Sequence, residues 1–125
     1  MAGLQVTDIS NVAGDGPVDL AFQSAAKAWA KWGTDAVADG SQNVSSITDH
    51  STGRFSTAFA SAMADANYSG QVNGQWTVGT DNGLMIYTGD NGDITASNFK
   101  MAFYNTGSNF YDVDEMSNTI HGDLA

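Results

Sequence analysis

The most regular alternation of apolar and polar positions lies near residue 100, where Phe99, Met101 and Phe103 interleave with Lys100, Ala102 and Tyr104. A period of two is that of a strand with one buried face. Shorter runs of the same kind predict strands over Val44–Thr48 and over Arg54–Ala60, the latter with Phe55, Thr57 and Phe59 on one side. Between them, Asp49-His50-Ser51-Thr52-Gly53 has the length and composition of a hairpin loop. Asn67–Val72, Gln75–Gly79 and Leu84–Thr88 are further short strands, separated by Gly74 and by Asp81-Asn82-Gly83. One segment departs from this period. Phe22, Ala25, Ala26, Trp29 and Trp32 recur at helical spacing, and Asp19 is placed to cap a first turn. With Lys27 and Lys31 near its C-terminal end and Gly33 to stop it, a helix is predicted over residues 20–32.

Both ends carry apolar residues beyond this central region. Leu4, Val6 and Ile9 lie in a strand-like piece that runs into the turn-rich stretch 10–17, so residues 1–19 read as an extended arm. Residues 105–125 show little periodicity but include Phe110, Tyr111, Val113, Met116 and Ile120, too apolar for a solvated tail. They predict a last strand, such as Phe110–Val113, followed by a segment docking on a neighbour. The fold expected is mainly β: a small antiparallel β-sandwich or jelly-roll-like module, residues 20–125, with one N-terminal α-helix and extended termini.

Composition narrows the function. The 125 residues suffice for one domain with one modest core. There is no apolar run long enough to span a membrane, and Met1-Ala2-Gly3-Leu4 lacks the basic-then-apolar pattern of a secretory signal. Cysteine is absent, which removes disulfides and thiolate chemistry. Fourteen acids face four cations, Lys27, Lys31, Arg54 and Lys100. At a net charge of −10 a nucleic-acid backbone or an anionic membrane surface is a poor partner. Thirteen of the acids are Asp, which favours turns and caps over helix interiors.

No residue pattern points to catalysis. His50 and His121 have no metal-ligand spacing, and neither a nucleophile elbow nor a phosphate-cradling loop is present. The aspartates sit mostly beside Gly or Asn in turns, where solvation leaves little reason for the raised pKa of a general acid. Calcium is the one cofactor with any support. Asp90-Asn91-Gly92-Asp93 and Asp112-Val113-Asp114-Glu115 gather hard oxygen ligands, although neither matches the twelve-residue calcium loop. Trp76, Tyr87, Tyr104 and Tyr111 are candidates for a glycan-stacking platform, with core packing as the simpler account of each.

A longer pattern carries more information. The strings Asn43-Val44-Ser45-Ser46-Ile47-Thr48-Asp49, Thr52-Gly53-Arg54-Phe55, then Phe59, and Ala62-Met63-Ala64-Asp65-Ala66-Asn67-Tyr68 follow Ala28-Trp29 in order. Together they resemble a module recurrent in virion structural proteins of tailed bacteriophages, marine ones especially, often described as tail-fibre-like. Leu4-Gln5-Val6-Thr7-Asp8-Ile9, Gly16-Pro17-Val18-Asp19-Leu20 and Gln23 are similar to the start of such proteins. The resemblance covers about the first half of the chain. Ala64 stands where the module often has proline, and long fibres carry the module inside larger chains. The resemblance implies a non-enzymatic virion protein that works as a homo-oligomer, commonly a trimer, against other virion proteins such as the major capsid protein. A capsid decoration or head-fibre role is expected, with a glycan-binding tail-fibre or adhesin subunit as the alternative. Leu4, Val6, Ile9, Phe22, Trp29 and Trp32 are the residues expected at the oligomer or virion interface.

Overall fold

A computed structural model describes residues 25–75, 84–88, 94–107 and 109–125. Among the described residues the regular structure is nine strands: β1 Ala28–Gly33, β2 Ala38–Gln42, β3 Val44–Ser51, β4 Arg54–Phe59, β5 Ser69–Gln75, β6 Leu84–Thr88, β7 Ile94–Thr95, β8 Asn98–Asn105 and β9 Glu115–His121. They form two antiparallel sheets. The first runs β2-β1-β9-β5; the second runs β3-β4-β8-β6, with β7 also pairing with β8. The mainly β, antiparallel character is the one the alternation predicts.

Within the described part of the span expected to be helical, residues 25–32, there is no helix. Residues 20–24 lie outside the described residues, but from Ala28 the chain is strand, not helix. Ala28-Trp29-Ala30-Lys31-Trp32-Gly33 fits both periods: Trp29 and Trp32 are three apart, as on a helix, yet Ala28, Ala30 and Trp32 also alternate with Trp29 and Lys31. The second period wins because the segment is paired on both sides, with β2 and with β9. Local preference for helix is worth a few tenths of a kcal/mol per residue and yields to tertiary pairing. Ala28, Ala30 and Trp32 therefore turn inward, all fully buried, and Trp29 and Lys31 face solvent. Gly33, read as a helix stop, starts the β1–β2 turn by accepting from the Ala36 amide at 3.3 Å.

The inner faces of the sheets share one core. Trp32, Met116 and Ile120 come from the first sheet; Phe55, Phe59, Phe99, Met101 and Phe103 come from the second. Trp32 and Phe55 meet across the interface with ring centroids 6.3 Å apart. A polar tie crosses it as well. Asn118, buried on β9, donates from Nδ2 to Thr57 Oγ1 at 2.8 Å and accepts the Ala30 amide at 3.1 Å. The Trp32 indole N–H is buried without a hydrogen-bond acceptor.

The C-terminal segment is part of this chain's own fabric. β9 lies between β1 and β5 in the first sheet, paired along its length with each. Beyond it, Leu124 bridges Met63, and the Ala125 amide donates to Ala62 O at 3.0 Å. Phe110, expected within a last strand, makes only an isolated bridge to Tyr104. Likewise, the strands expected on either side of Gly74 are one continuous β5 up to Gln75, with 76–79 outside the described residues.

Candidate functional site

The residues that carry the resemblance serve the fold. Asn43 joins the sheets: β2 ends at Gln42 and β3 begins at Val44, so one residue turns the chain from one sheet into the other. It does so at φ 54°, a left-handed conformation that asparagine tolerates better than most residues. Its amide is fully used, donating to Lys27 O and Ser61 O at 3.0 Å each and accepting from the Ser61 amide at 2.6 Å. Gly53 turns β3 into β4 at φ 66°, and a Cβ there would meet the Tyr111 amide nitrogen at 2.6 Å. Met63 is core, and Asp65 accepts the Asn67 amide at 2.7 Å. Tyr68 packs edge-on against Phe59, at 5.7 Å between centroids. Its hydroxyl lies 3.0 and 2.9 Å from the Thr95 and Asn98 carbonyls, to which it donates.

What the first sheet leaves outward is different in kind. Register pairs His121 with Ser69 at one end of its outer face and defines three further rows. Gln42, Trp29, Thr119 and Gln71 form one; Gly40, Lys31, Ser117 and Asn73 form the next; Gly33, Glu115 and Gln75 form the third. Lys31 and Glu115 are the charged members and pair with each other at 3.1 Å. The rows therefore carry no net charge, although the chain as a whole stands at −10. Trp29 is 38% exposed. Its indole N–H donates to Gln42 Oε1 at 3.2 Å, while the far end of the ring approaches Gly40, where a Cβ would lie 3.2 Å from Cη2. The ring is thus laid along β2 and held at both ends. Beside it, a shallow depression of about 190 Å³ is lined by Lys31, Asn73, Gln75, Glu115, Met116 and Ser117.

The residues singled out from sequence fare unequally. Trp29 is exposed, as a contact residue must be. Trp32 is not a surface residue at all: it is wholly buried in the core, and its expected interface role is corrected accordingly. Leu4, Val6, Ile9 and Phe22 lie outside the described residues. Of the four aromatics considered for glycan stacking, Trp76 is outside them too, and Tyr87 is placed only by its backbone pairing with Ala102. Tyr104 stacks on Phe110 at 4.7 Å, with the Arg54 guanidinium 3.9 Å above the Phe110 ring. Tyr111 is 41% exposed. This second aromatic group belongs with the β4–β8 sheet, so the structure does not bring it together with Trp29.

The suspected calcium ligands are otherwise engaged or not described. Asp90-Asn91-Gly92-Asp93 falls outside the described residues. Asp112 accepts the Gly53 amide at 2.6 Å, and Glu115 is paired with Lys31. Among the described residues, no group of three or more His, Asp or Glu is placed to hold a metal ion. His50 Nε2 lies 2.8 Å from Ser56 Oγ and links β3 to β4, whereas His121 ends β9 in the other sheet.

Sequence reasoning missed Gln42, Gln71, Asn73, Gln75, Ser117 and Thr119. Their polarity read as turns and solvated surface, and only the pairing of β9 with β1 and β5 brings them onto one face. No protein-family model matches the chain, and no curated protein or solved structure is significantly similar to it.

Proposed function

We propose that this chain is a non-enzymatic structural protein of a tailed-phage virion, a β-sandwich module displayed on the particle surface and assembled as a homo-oligomer. The observation that carries the reading is the use made of the resemblance residues. Asn43, Gly53, Met63, Asp65 and Tyr68 each hold the fold through a turn, a bridge or a packed ring. Such a motif specifies a scaffold and leaves function to the surface it displays.

Two placements on the particle follow, a trimeric capsid decoration or head-fibre protein and a tail-fibre or adhesin subunit. The uncharged face around Trp29 favours the second. An exposed indole among amide and hydroxyl side chains can stack on a sugar ring and bond its hydroxyls, which is the chemistry a host-contacting face needs. Copy number in purified particles of the encoding phage, by calibrated mass spectrometry against the major capsid protein, tests both. A few tens of copies or fewer is the expected result and places the protein on the tail or a vertex. A count matching the capsid protein, or a simple fraction of it, assigns it to the shell, and absence from particles overturns the virion reading.

A further inference from the structure

From the geometry of the first sheet, we infer that its outer face is a binding platform for an uncharged, hydroxyl-rich oligosaccharide, with Trp29 as the stacking residue. The inference deepens the adhesin reading and rests on it for its biological setting, but the binding itself can be measured on the isolated protein.

The indole supplies a flat apolar surface, and pyranose rings present apolar C–H faces of matching size. Trp29 suits this role because its ring is already fixed between Gln42 and Gly40, so little rotamer freedom is lost on binding. Gly40 matters for what it lacks: a side chain there would push against the ring end. The neighbours in register supply the polar half of recognition. Gln71, Asn73 and Gln75 on β5 each carry an amide with both donors and an acceptor, and Thr119 and Ser117 on β9 carry hydroxyls between them and β1. Vicinal sugar hydroxyls, which also donate and accept, are natural partners for such groups.

Charge selects among sugars. The three rows around Trp29 carry no net charge, because Lys31 and Glu115 pair with each other. The chain around it is strongly acidic, so uronate-, sulfate- or phosphate-bearing polymers are repelled while neutral ones are not. Four strands at about 4.8 Å spacing make a platform about 14 Å wide, enough for a short stretch of polysaccharide. An open, flat platform of this kind binds weakly per copy and gains strength from several copies on one particle.

The experiment is an array of uncharged oligosaccharides (glucans, mannans, galactans and N-acetylhexosamine polymers) probed with the biotinylated full chain on streptavidin. Calorimetric titration with the best ligand follows. Wild type is expected to bind a neutral sugar. Trp29→Ala and Gln71→Ala should each weaken it about tenfold or more with the unfolding midpoint retained, while Tyr111→Ala binds as wild type. The inference is overturned if wild type binds no uncharged sugar even when multivalent, or if binding survives Trp29→Ala. It is equally overturned if Trp29→Ala spares sugar binding and instead lowers the oligomer mass by light scattering, since the face is then a subunit contact. Virion copy number is independent of all three outcomes, so a protein present on particles that binds no sugar sinks the platform and leaves the virion reading standing.

Discussion

Tyr68 shows how much one side chain can hold. It packs on Phe59 and Phe99, and its hydroxyl donates into the β7–β8 turn, so the phenol is needed neutral and in place. Burial pushes its pKa from 10.0 up to about 12. A phenol that ionises less readily when folded stabilises the fold at and below pH 10; that contribution is lost as pH rises from about 10 towards 12, where the unfolded chain has released the proton and the folded one has not. Stability should therefore fall across that window, and Tyr68→Phe should flatten the fall while costing about 1 kcal/mol at neutral pH. Denaturant midpoints at pH 8 to 12 check this. An identical decline in the variant would assign it to other groups. The same scale separates the two tryptophans. Their spacing made them look alike, yet Trp32 is core and Trp29 is surface, because strand alternation sends residues three apart to opposite faces.

At the scale of elements, the most informative strand is β9. Its burial alternates strictly, with Met116, Asn118 and Ile120 inward. The sequence conceals this because the middle inward residue is polar, so the run reads as irregular. Asn118 is tolerated because both ends of its amide are bonded, to Thr57 and to the Ala30 amide. Asn118→Ala leaves that backbone N–H and the Thr57 hydroxyl unpartnered in the core, at a cost of about 2 kcal/mol. Adding Thr57→Val should recover part of the loss, because one orphaned polar group is then removed. A double-mutant cycle on denaturant midpoints measures it; strictly additive losses would mean that the tie contributes nothing of its own. That Ala28–Gly33 is strand has a related reason. Ala28–Gly33 is compatible with either period, and its partners β2 and β9 are supplied by distant parts of the chain.

For the whole molecule, charge is the dominant property. A net −10 on 125 residues gives a self-repulsion that opposes folding and keeps copies apart. Salt should relieve it: raising ionic strength from about 0.01 M to about 1 M shortens the Debye length from about 30 Å to about 3 Å and should raise the melting midpoint by several degrees. Thermal scans in sodium chloride test this, and a midpoint that falls with salt would mean that attractive pairs such as Lys31–Glu115 outweigh the repulsion. Topology adds a second constraint. The first sheet joins β1 and β2 to β5 and to the C-terminal β9, so it closes only when the end of the chain is in place.

Linear order alone is enough for the β character, the turn at Gly53, the charge that disfavours polyanions, and strands expected over 44–48, 54–60, 84–88 and about 99–104, which the fold extends to 44–51 and 98–105 and ends at 59. Each of these depends on local period, turn chemistry or a sum over residues, which the linear order contains. Long-range pairing, by contrast, set the state of Ala28–Gly33, the place of β9, the opposite facings of Trp29 and Trp32, and the sharing of one face by Trp29, Gln42, Thr119, Gln71 and Asn73. The physical reason is the same throughout. These residues take their conformation and facing from hydrogen-bonded partners tens of residues away, and a window along the chain does not contain those partners.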